Sequence, residues 1–283
     1  MSGTLYLCAT PIGNLKDITD RVKETLESVD LIAAEDTRNS MKLMTHFDIH
    51  VPMTSYHEYN KFEKADDIVN TLLSGKGVAL MTDAGTPAIS DPGEVLVKKC
   101  VEAGIPVTSL PGPCAVITAL TLSGLSTGRF SFEGFLSREK KERREAIKEL
   151  QSETRTIIIY EAPHHLKDTL RDLSEALGNR KIALCRELTK KHEEVLRLTL
   201  DEAIAYYGVN EPRGEYVLVI EGKSRKEIDE ERARSFDEMT VSEHVEMYEK
   251  QGLERKEAMK AAAQDRGVRK RDIYQELLET EGR

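Results

Sequence analysis

The sequence predicts an α/β protein: a mainly parallel sheet first, a mixed sheet next, and a small helical segment at the end. Three observations carry this. Apolar strand-like runs alternate with helix-period stretches over residues 4–118, the pattern of βαβ units around a parallel sheet. The apolar runs between residues 181 and 220 have short connections, which suit antiparallel pairing. Beyond residue 222 the composition turns to charge, followed by three short helical patterns.

In chain order, the first strand is Leu5 to Ala9, and Ile18, Val22, Leu26 and Val29 then mark a helical stripe. Residues 31–34 form a short strand ending at Glu35-Asp36. Phe62, Ala65, Ile68, Val69 and Leu72 place a helix over 61–74. A strand follows at 77–82, a helix near 93–103 and a strand at 106–110. The helix at about 113–123 stops at Gly124, a residue suited to a left-handed cap. Phe130, Phe132 and Phe135 fall in a strand, and residues 138–151 form a highly charged helix. Thr156 to Tyr160 is a buried strand, and a helix over about 163–177 ends at Gly178. Strand patterns follow at 181–186, 193–198 and 215–220, with a helix at about 200–207. The helical patterns of the tail cover 241–251, 253–266 and 269–279 and resemble a helix-turn-helix. The domain limits implied are 1–124, 125–222, a charged linker at 223–237, and a helical domain at 238–283.

A chain of 283 residues that is 39% hydrophobic can bury a sizeable core. No apolar stretch reaches the roughly 18–20 residues that cross a bilayer, so no membrane is expected as a partner. No basic segment precedes an apolar one at the N-terminus, so a cytoplasmic location is expected. The four cysteines contain no CxxC pair, which excludes a zinc knuckle or redox motif and predicts reduced thiols. No metal-ligand spacing occurs, so no metal is expected. A net charge of −9 argues against indiscriminate nucleic-acid binding but leaves room for a local basic patch.

Three strand ends run into loops rich in Gly and Pro: Thr10-Pro11-Ile12-Gly13-Asn14, Thr82-Asp83-Ala84-Gly85-Thr86-Pro87 and Pro111-Gly112-Pro113-Cys114-Ala115. In an open α/β sheet, ligands sit beyond the carboxyl ends of strands. Neither GxGxxG nor GxxxxGK[ST] is present, which disfavours pyrophosphate binding. Backbone edges with Asp83 and Asp91 nearby suit a ligand that joins an amino acid to a nucleoside, as S-adenosylmethionine does. The other reading of these two Asp residues is turn stabilisation, and both stand at this point.

These loops occur in order with Ala34-Glu35-Asp36-Thr37-Arg38, Ile89-Ser90-Asp91-Pro92-Gly93 and Tyr160-Glu161-Ala162-Pro163-His164. Together they make residues 4–222 resemble the tetrapyrrole methylase superfamily. Within it the chain resembles the bacterial 16S ribosomal RNA cytidine 2′-O-ribose methyltransferases of the small subunit. Many tetrapyrrole methylases carry Gly-Gly-Asp-Pro where this chain has Asp83-Ala84-Gly85-Thr86-Pro87, a variant typical of the ribosomal branch. The resemblance implies a two-domain tetrapyrrole methylase-like fold with S-adenosyl-L-methionine between the halves, and a homodimer. It implies cofactor contacts from Pro11, Met81, Thr82, Asp83, Ala84, Gly85, Ile89, Ser90 and Pro113. Tyr160, Ala162, Gly214 and Tyr216 would complete the far wall.

Methyl transfer to a ribose oxygen needs in-line alignment and a base or charge for the developing alkoxide. Glu35, Asp36, Arg38 and His57 are the expected catalytic set, with Glu58 and His164 as further candidates. Glu35 and Asp36 follow a strand end, Arg38 can hold a phosphate bidentately, and His57 lies in a polar, aromatic loop; the other reading of Glu35-Asp36-Thr37-Arg38 is a helix N-terminus with an internal ion pair. The 16S RNA partner calls for cations. Arg138, Lys140, Lys141, Arg143 and Arg144 form one cluster, and Arg266, Arg269, Lys270 and Arg271 another. Two other readings remain open: a methyltransferase of this fold acting on a tetrapyrrole or a modified protein side chain, and a non-catalytic RNA-binding assembly factor.

Overall fold

The structure is a computed structural model and describes residues 2–236 and 239–281. Its first sheet contains β1 (Leu5–Cys8), β2 (Leu31–Ala34), β3 (Met53–Ser55), β4 (Val78–Met81) and β5 (Val107–Leu110). All pairings are parallel, in the order β3-β2-β4-β1-β5. The intervening helices are α1 (Asp20–Ser28), α2 (Thr37–His46), α3 (Lys61–Leu73), α4 (Gly93–Glu102) and α5 (Ala115–Ser123), the last ending at left-handed Gly124. The second sheet contains β6 (Phe130–Phe135), β7 (Thr156–Glu161), β8 (Lys181–Arg186), β9 (Glu194–Thr199) and β10 (Tyr216–Ile220). Their order is β6-β7-β10-β8-β9, with β6 and β7 parallel and the other pairs antiparallel, so the sheet is mixed as expected. Helices α6 (Lys140–Glu149), α7 (Leu166–Leu177) and α8 (Leu200–Val209) accompany it.

Strand alternation sends alternate residues to opposite faces. In the first sheet Leu5, Leu7, Val78 and Leu80 face α3 and α4, while Cys8, Ile32, Ala79 and Met81 face α1 and α2. In the second sheet Ile157, Ile159, Leu218 and Ile220 face α7 and α8. Ile158, Ala183, Val217 and Val219 pack against Val116, Ala119 and Leu120 of α5. Thus α5 follows the first sheet in sequence but closes the core of the second. Burial drives the thiols of Cys8 and Cys185 up to about 12 and that of Cys100 up to about 11, so all three stay protonated near neutrality.

Strand β3 has no counterpart in the sequence reading, and α2 begins where the alternative reading of Glu35-Asp36-Thr37-Arg38 sets a helix N-terminus. α2 is capped by Asp36, whose carboxylate accepts from the Arg38 N–H at 2.8 Å. β3 is a three-residue edge strand, too short to show alternation.

The chain forms two compact units: residues up to Leu150 with Thr156–Glu221, and Gln151–Arg155 with the residues from Gly222 onward. Both sheets belong to the first unit. In the second, part of the charged stretch expected as a linker is helical: α9 (Arg225–Arg234) starts with a reciprocal capping box between Ser224 and Glu227. The linker limit drawn at 237/238 falls on Asp237 and Glu238, outside the described residues, as do Gly282 and Arg283. Helices α10 (Val241–Lys250), α11 (Arg255–Asp265) and α12 (Lys270–Glu281) bury Val241, Val245, Ala258, Ala262, Ile273 and Leu277. Among the described residues no helix is long and apolar enough to cross a membrane.

Leu170 of α7 is fully buried against the second sheet. Leu170→Ala should cost about 2–5 kcal/mol by leaving a cavity in that core. A fall in the urea midpoint without a change in slope would report it.

Candidate active site

β4 is the switch point of the first sheet. The helices after its neighbours β1 and β2 cover one face, and α4, which follows β4, covers the other. The loop leaving β4 therefore lies where the chain diverges, the usual crevice of an open α/β sheet. Thr10 and Gly85 exchange two backbone hydrogen bonds there, at 2.9 and 3.1 Å. The Thr10 hydroxyl donates to the Thr82 carbonyl at 3.3 Å, and the Thr86 hydroxyl to the Pro113 carbonyl at 3.0 Å. Three strand-end loops are thus sewn together by peptide groups and threonine hydroxyls.

The opposite wall comes from the second sheet. Antiparallel pairing sets Tyr216 opposite both Glu161 and Arg186, so the end of β7, the end of β8 and the start of β10 share one edge. Between the walls lies a cavity of about 430 Å³. Gly85 sits at φ +86°, and a Cβ there would lie 3.2 Å from the Ile12 side chain. Gly134, at φ +64° in a bulge of β6, passes so close to Ser90 that a Cβ would lie 3.1 Å from its Oγ. Ala88, Ser90, Glu187 and Thr189 also take positive φ, between 51° and 66°. Such backbone costs energy for non-glycine residues and concentrates at functional sites.

Of the residues expected to hold the cofactor, Thr82, Asp83, Ala84, Gly85, Ile89 and Ser90 line the near wall, and Tyr160, Ala162 and Tyr216 the far one. Pro11 and Met81 line an adjoining hollow of about 370 Å³. Pro113 contributes the carbonyl that receives Thr86, and Gly214 abuts Glu187. Burial pushes the Tyr160 phenol up to about 12, so it stays neutral beside Phe132 and Phe135. Lining residues that sequence reading missed include Ile12, Cys114, Phe135, Cys185, Glu187 and Lys190. The acidic and positive-φ residues of the 187–190 turn follow a strand end, and that position was the available signal.

The two Asp residues of the β4 loop both brace backbone. Asp91 accepts from the N–H groups of Gly93 at 2.7 Å and Ile89 at 3.3 Å. Asp83 accepts from the Asp36 N–H at 3.2 Å and the Asn39 amide at 3.4 Å, strapping the β2 and β4 loops together.

Only Glu35 of the expected catalytic set lines the cavity. It accepts from the Asp83 N–H at 3.5 Å. Burial raises its proton affinity above the usual Glu value; the charges of Asp83 and Asp91 add to this, and His57 and the Asp83 N–H oppose it. Arg38 is exposed and pairs with the half-buried Asp36 at 3.0–3.2 Å, which holds the Asp36 carboxyl low. His57 has a buried Nδ1 without a protein partner. Glu58 pairs with Lys61, and His164 is exposed beside His165.

The cavity suits a sulfonium nucleoside on its own chemistry. Peptide edges and apolar faces lie beside Glu35, Asp83, Glu187 and Glu215, which favour a cationic ligand with ribose hydroxyls. Lys190, which also lines it, is neutralised by Glu187 at 3.0 Å and Glu215 at 3.4 Å. Among the described residues no group of three or more His, Cys, Asp or Glu is placed to hold a metal.

Beyond Phe135, Glu161 and Ala162 a second cavity of about 510 Å³ opens, with Arg138, Lys140, Arg143 and Arg144 on its walls. Lys141 is exposed nearby. Arg143 is committed inward, to Asp172 at 2.8 Å and Thr169 at 2.7 Å. In the tail, Arg269 pairs with Asp272 across the first turn of α12, and Lys270 and Arg271 follow it. Arg266 is internal: its Nε donates to His244 Nδ1 at 3.1 Å, and Asp265 accepts from the other side of the same ring.

Two sheets with a peptide-walled cavity at their shared edge define a tetrapyrrole methylase-type methyltransferase, and the family of Tetrapyrrole (Corrin/Porphyrin) Methylases matches residues 4–204. The chain belongs to that family and, within it, groups with proteins named ribosomal RNA small subunit methyltransferase I. The relative from Halalkalibacterium halodurans is 50% identical over 96% of this chain and 93% of its own length. The Bacillus subtilis relative is 49% identical with the same coverage. Solved structures share the fold at low identity. A diphthine synthase aligns with a TM-score of 0.60 at 12% identity, over 77% of this chain and 90% of that one. A uroporphyrin-III-C-methyltransferase from Thermus thermophilus gives 0.55 at 17%, over 77% and 94%. The enzyme class is methyltransferase, with S-adenosylmethionine as methyl donor.

Gly85→Ala places a side chain at φ +86° against Ile12. It should weaken S-adenosylmethionine binding by about tenfold, the scale of one left-handed residue, read by calorimetry.

Proposed function

We propose that this enzyme methylates the 2′-hydroxyl of a cytidine ribose in 16S ribosomal RNA of the small subunit. The carrying observation is near full-length similarity, at 50% identity, to a relative named for ribosomal RNA small subunit methylation. S-adenosylmethionine, when bound, supplies an electrophilic methyl group on a sulfonium centre. Residues 82–85 form the near wall against which the donor sits, and Ala162 and Tyr216 close it from the other side. Glu35 stands at the border of the cavity and the β2 loop. A carboxylate with raised proton affinity accepts the hydroxyl proton better than an ordinary one. His57 stands close enough to Glu35 for a positive charge on its ring to favour the ionised carboxylate. Arg138, Lys140 and Arg144 border the adjoining basic cavity, where a phosphodiester backbone gains most from cations. Lys141 extends that face, and Lys270 and Arg271 supply a further basic face in the tail. A homodimer in the cytoplasm completes the reading, on the resemblance of the motifs.

Transfer of labelled methyl groups to naked 16S RNA and to small subunits, followed by mapping of the modified ribose, tests the proposal. Methylation of a base, or none in either substrate, would refute it. Because Glu35 must lose its proton to act, activity should rise with pH along a limb displaced above the usual Glu range. Glu35→Gln should abolish that limb and slow transfer by about 10²–10⁴-fold. Replacing Arg138, Lys140 and Arg144 together by Gln should flatten the dependence of log binding constant on log salt, by about 0.7 per lost single-strand phosphate contact.

A further inference from the structure

The Tyr160–His164 motif holds a carboxylate with no part in the chemistry above. Glu161, the last residue of β7, is only 5% exposed, in the wall common to the cofactor cavity and the basic cavity. A buried carboxylate persists only with partners. One oxygen accepts from the N–H of Ala162 at 2.8 Å, and the other accepts from the hydroxyl of Thr169. Thr169 lies on α7 with no exposed surface. Arg143 of α6 donates to that same hydroxyl oxygen at 2.7 Å, and Asp172 fixes the guanidinium at 2.8 Å. A hydroxyl has one hydrogen. With Arg143 occupying a lone pair, that hydrogen is available for Glu161; the His165 carbonyl, at 3.0 Å, is its other acceptor. A continuous path therefore runs from α6 through α7 to the peptide that carries Ala162, which lines the cofactor cavity.

We propose that Glu161 is a positioning residue. It sets the plane of the Glu161–Ala162 peptide, and with it the second-sheet wall of the cofactor cavity, while Thr169 and Arg143 hold its carboxylate in register. Arg143 thus serves the cofactor rather than the RNA, although it sits in the most basic helix of the chain. The inference deepens the cofactor assignment and is independent of the methyl acceptor.

Calorimetry with S-adenosylmethionine alone tests it, so failure of the RNA reading, seen in the transfer assay, leaves the result interpretable. Thr169→Val keeps the shape and removes the hydroxyl; Thr169→Ser keeps the hydroxyl. The valine variant should bind the cofactor about tenfold or more weakly, and the serine variant within about twofold of the parent, the scale set by a hydrogen bond to a charged group. Glu161→Gln, which cannot accept from both partners, should match the valine variant. In transfer assays the KM for the cofactor should rise, with kcat at saturation much less affected. Parent-like affinity in folded Thr169→Val or Glu161→Gln protein overturns the proposal. So does equal weakening in the serine and valine variants, a change that only tracks the denaturation midpoint, or loss of the fold in both test variants.

Discussion

The pair of peptide hydrogen bonds between Thr10 and Gly85 is the constraint on which the site depends. Parallel strands end with unpaired backbone groups, and a loop that leaves them must satisfy its polar atoms without filling the crevice. Here the β1 and β4 loops satisfy each other, and threonine hydroxyls at positions 10, 82 and 86 take up neighbouring carbonyls. The loops are held rigid by contacts among themselves, so the wall keeps its shape without side chains filling the crevice. The left-handed residues at Gly85, Ala88 and Ser90 follow from this arrangement, because the chain must turn repeatedly within a few residues.

The far wall is tied to the near one by the hydrophobic effect. Helix α5 leaves the first sheet and buries Val116, Ala119 and Leu120 against Ile158, Val217 and Val219 of the second. Close packing of this kind transmits position, since small displacements open voids or create clashes. The spacing of the two walls is therefore set by a core, not by a flexible hinge segment. The close pass of Gly134 beside Ser90 adds a second, steric stop.

Charge is sorted by location. The cofactor cavity carries Glu35, Asp83, Glu187 and Glu215, with Lys190 neutralised, which favours a cationic donor. The adjoining cavity carries Arg138, Lys140 and Arg144, which favour a polyanion, while its carboxylates Glu161, Asp168 and Asp172 are held by Thr169, Arg171 and Arg143. An acidic protein with a basic patch limits non-specific nucleic-acid binding while keeping affinity where it is useful.

Much of this was legible in the sequence. Apolar runs and helical stripes located most strands and helices, because burial imposes periods of two and 3.6 on the chain. The ordered Gly- and Pro-rich loops pointed to a backbone-walled site and to the family. Elements too short or too polar to show a period were not legible: β3 has three residues, and α9 is helical through its caps and charge spacing. Side-chain commitments were equally hidden. Sequence places Arg143 among RNA-facing cations and Asp36 beside Glu35 in the catalytic set. Only tertiary structure turns Arg143 toward Thr169 and leaves Glu35 at the cavity; the pairing of Asp36 with Arg38 at a helix cap is local and was one of the two readings the sequence offered. The physical reason is range: periodicity and caps arise from neighbours along the chain, whereas a side chain's partners are chosen by elements that meet only after folding.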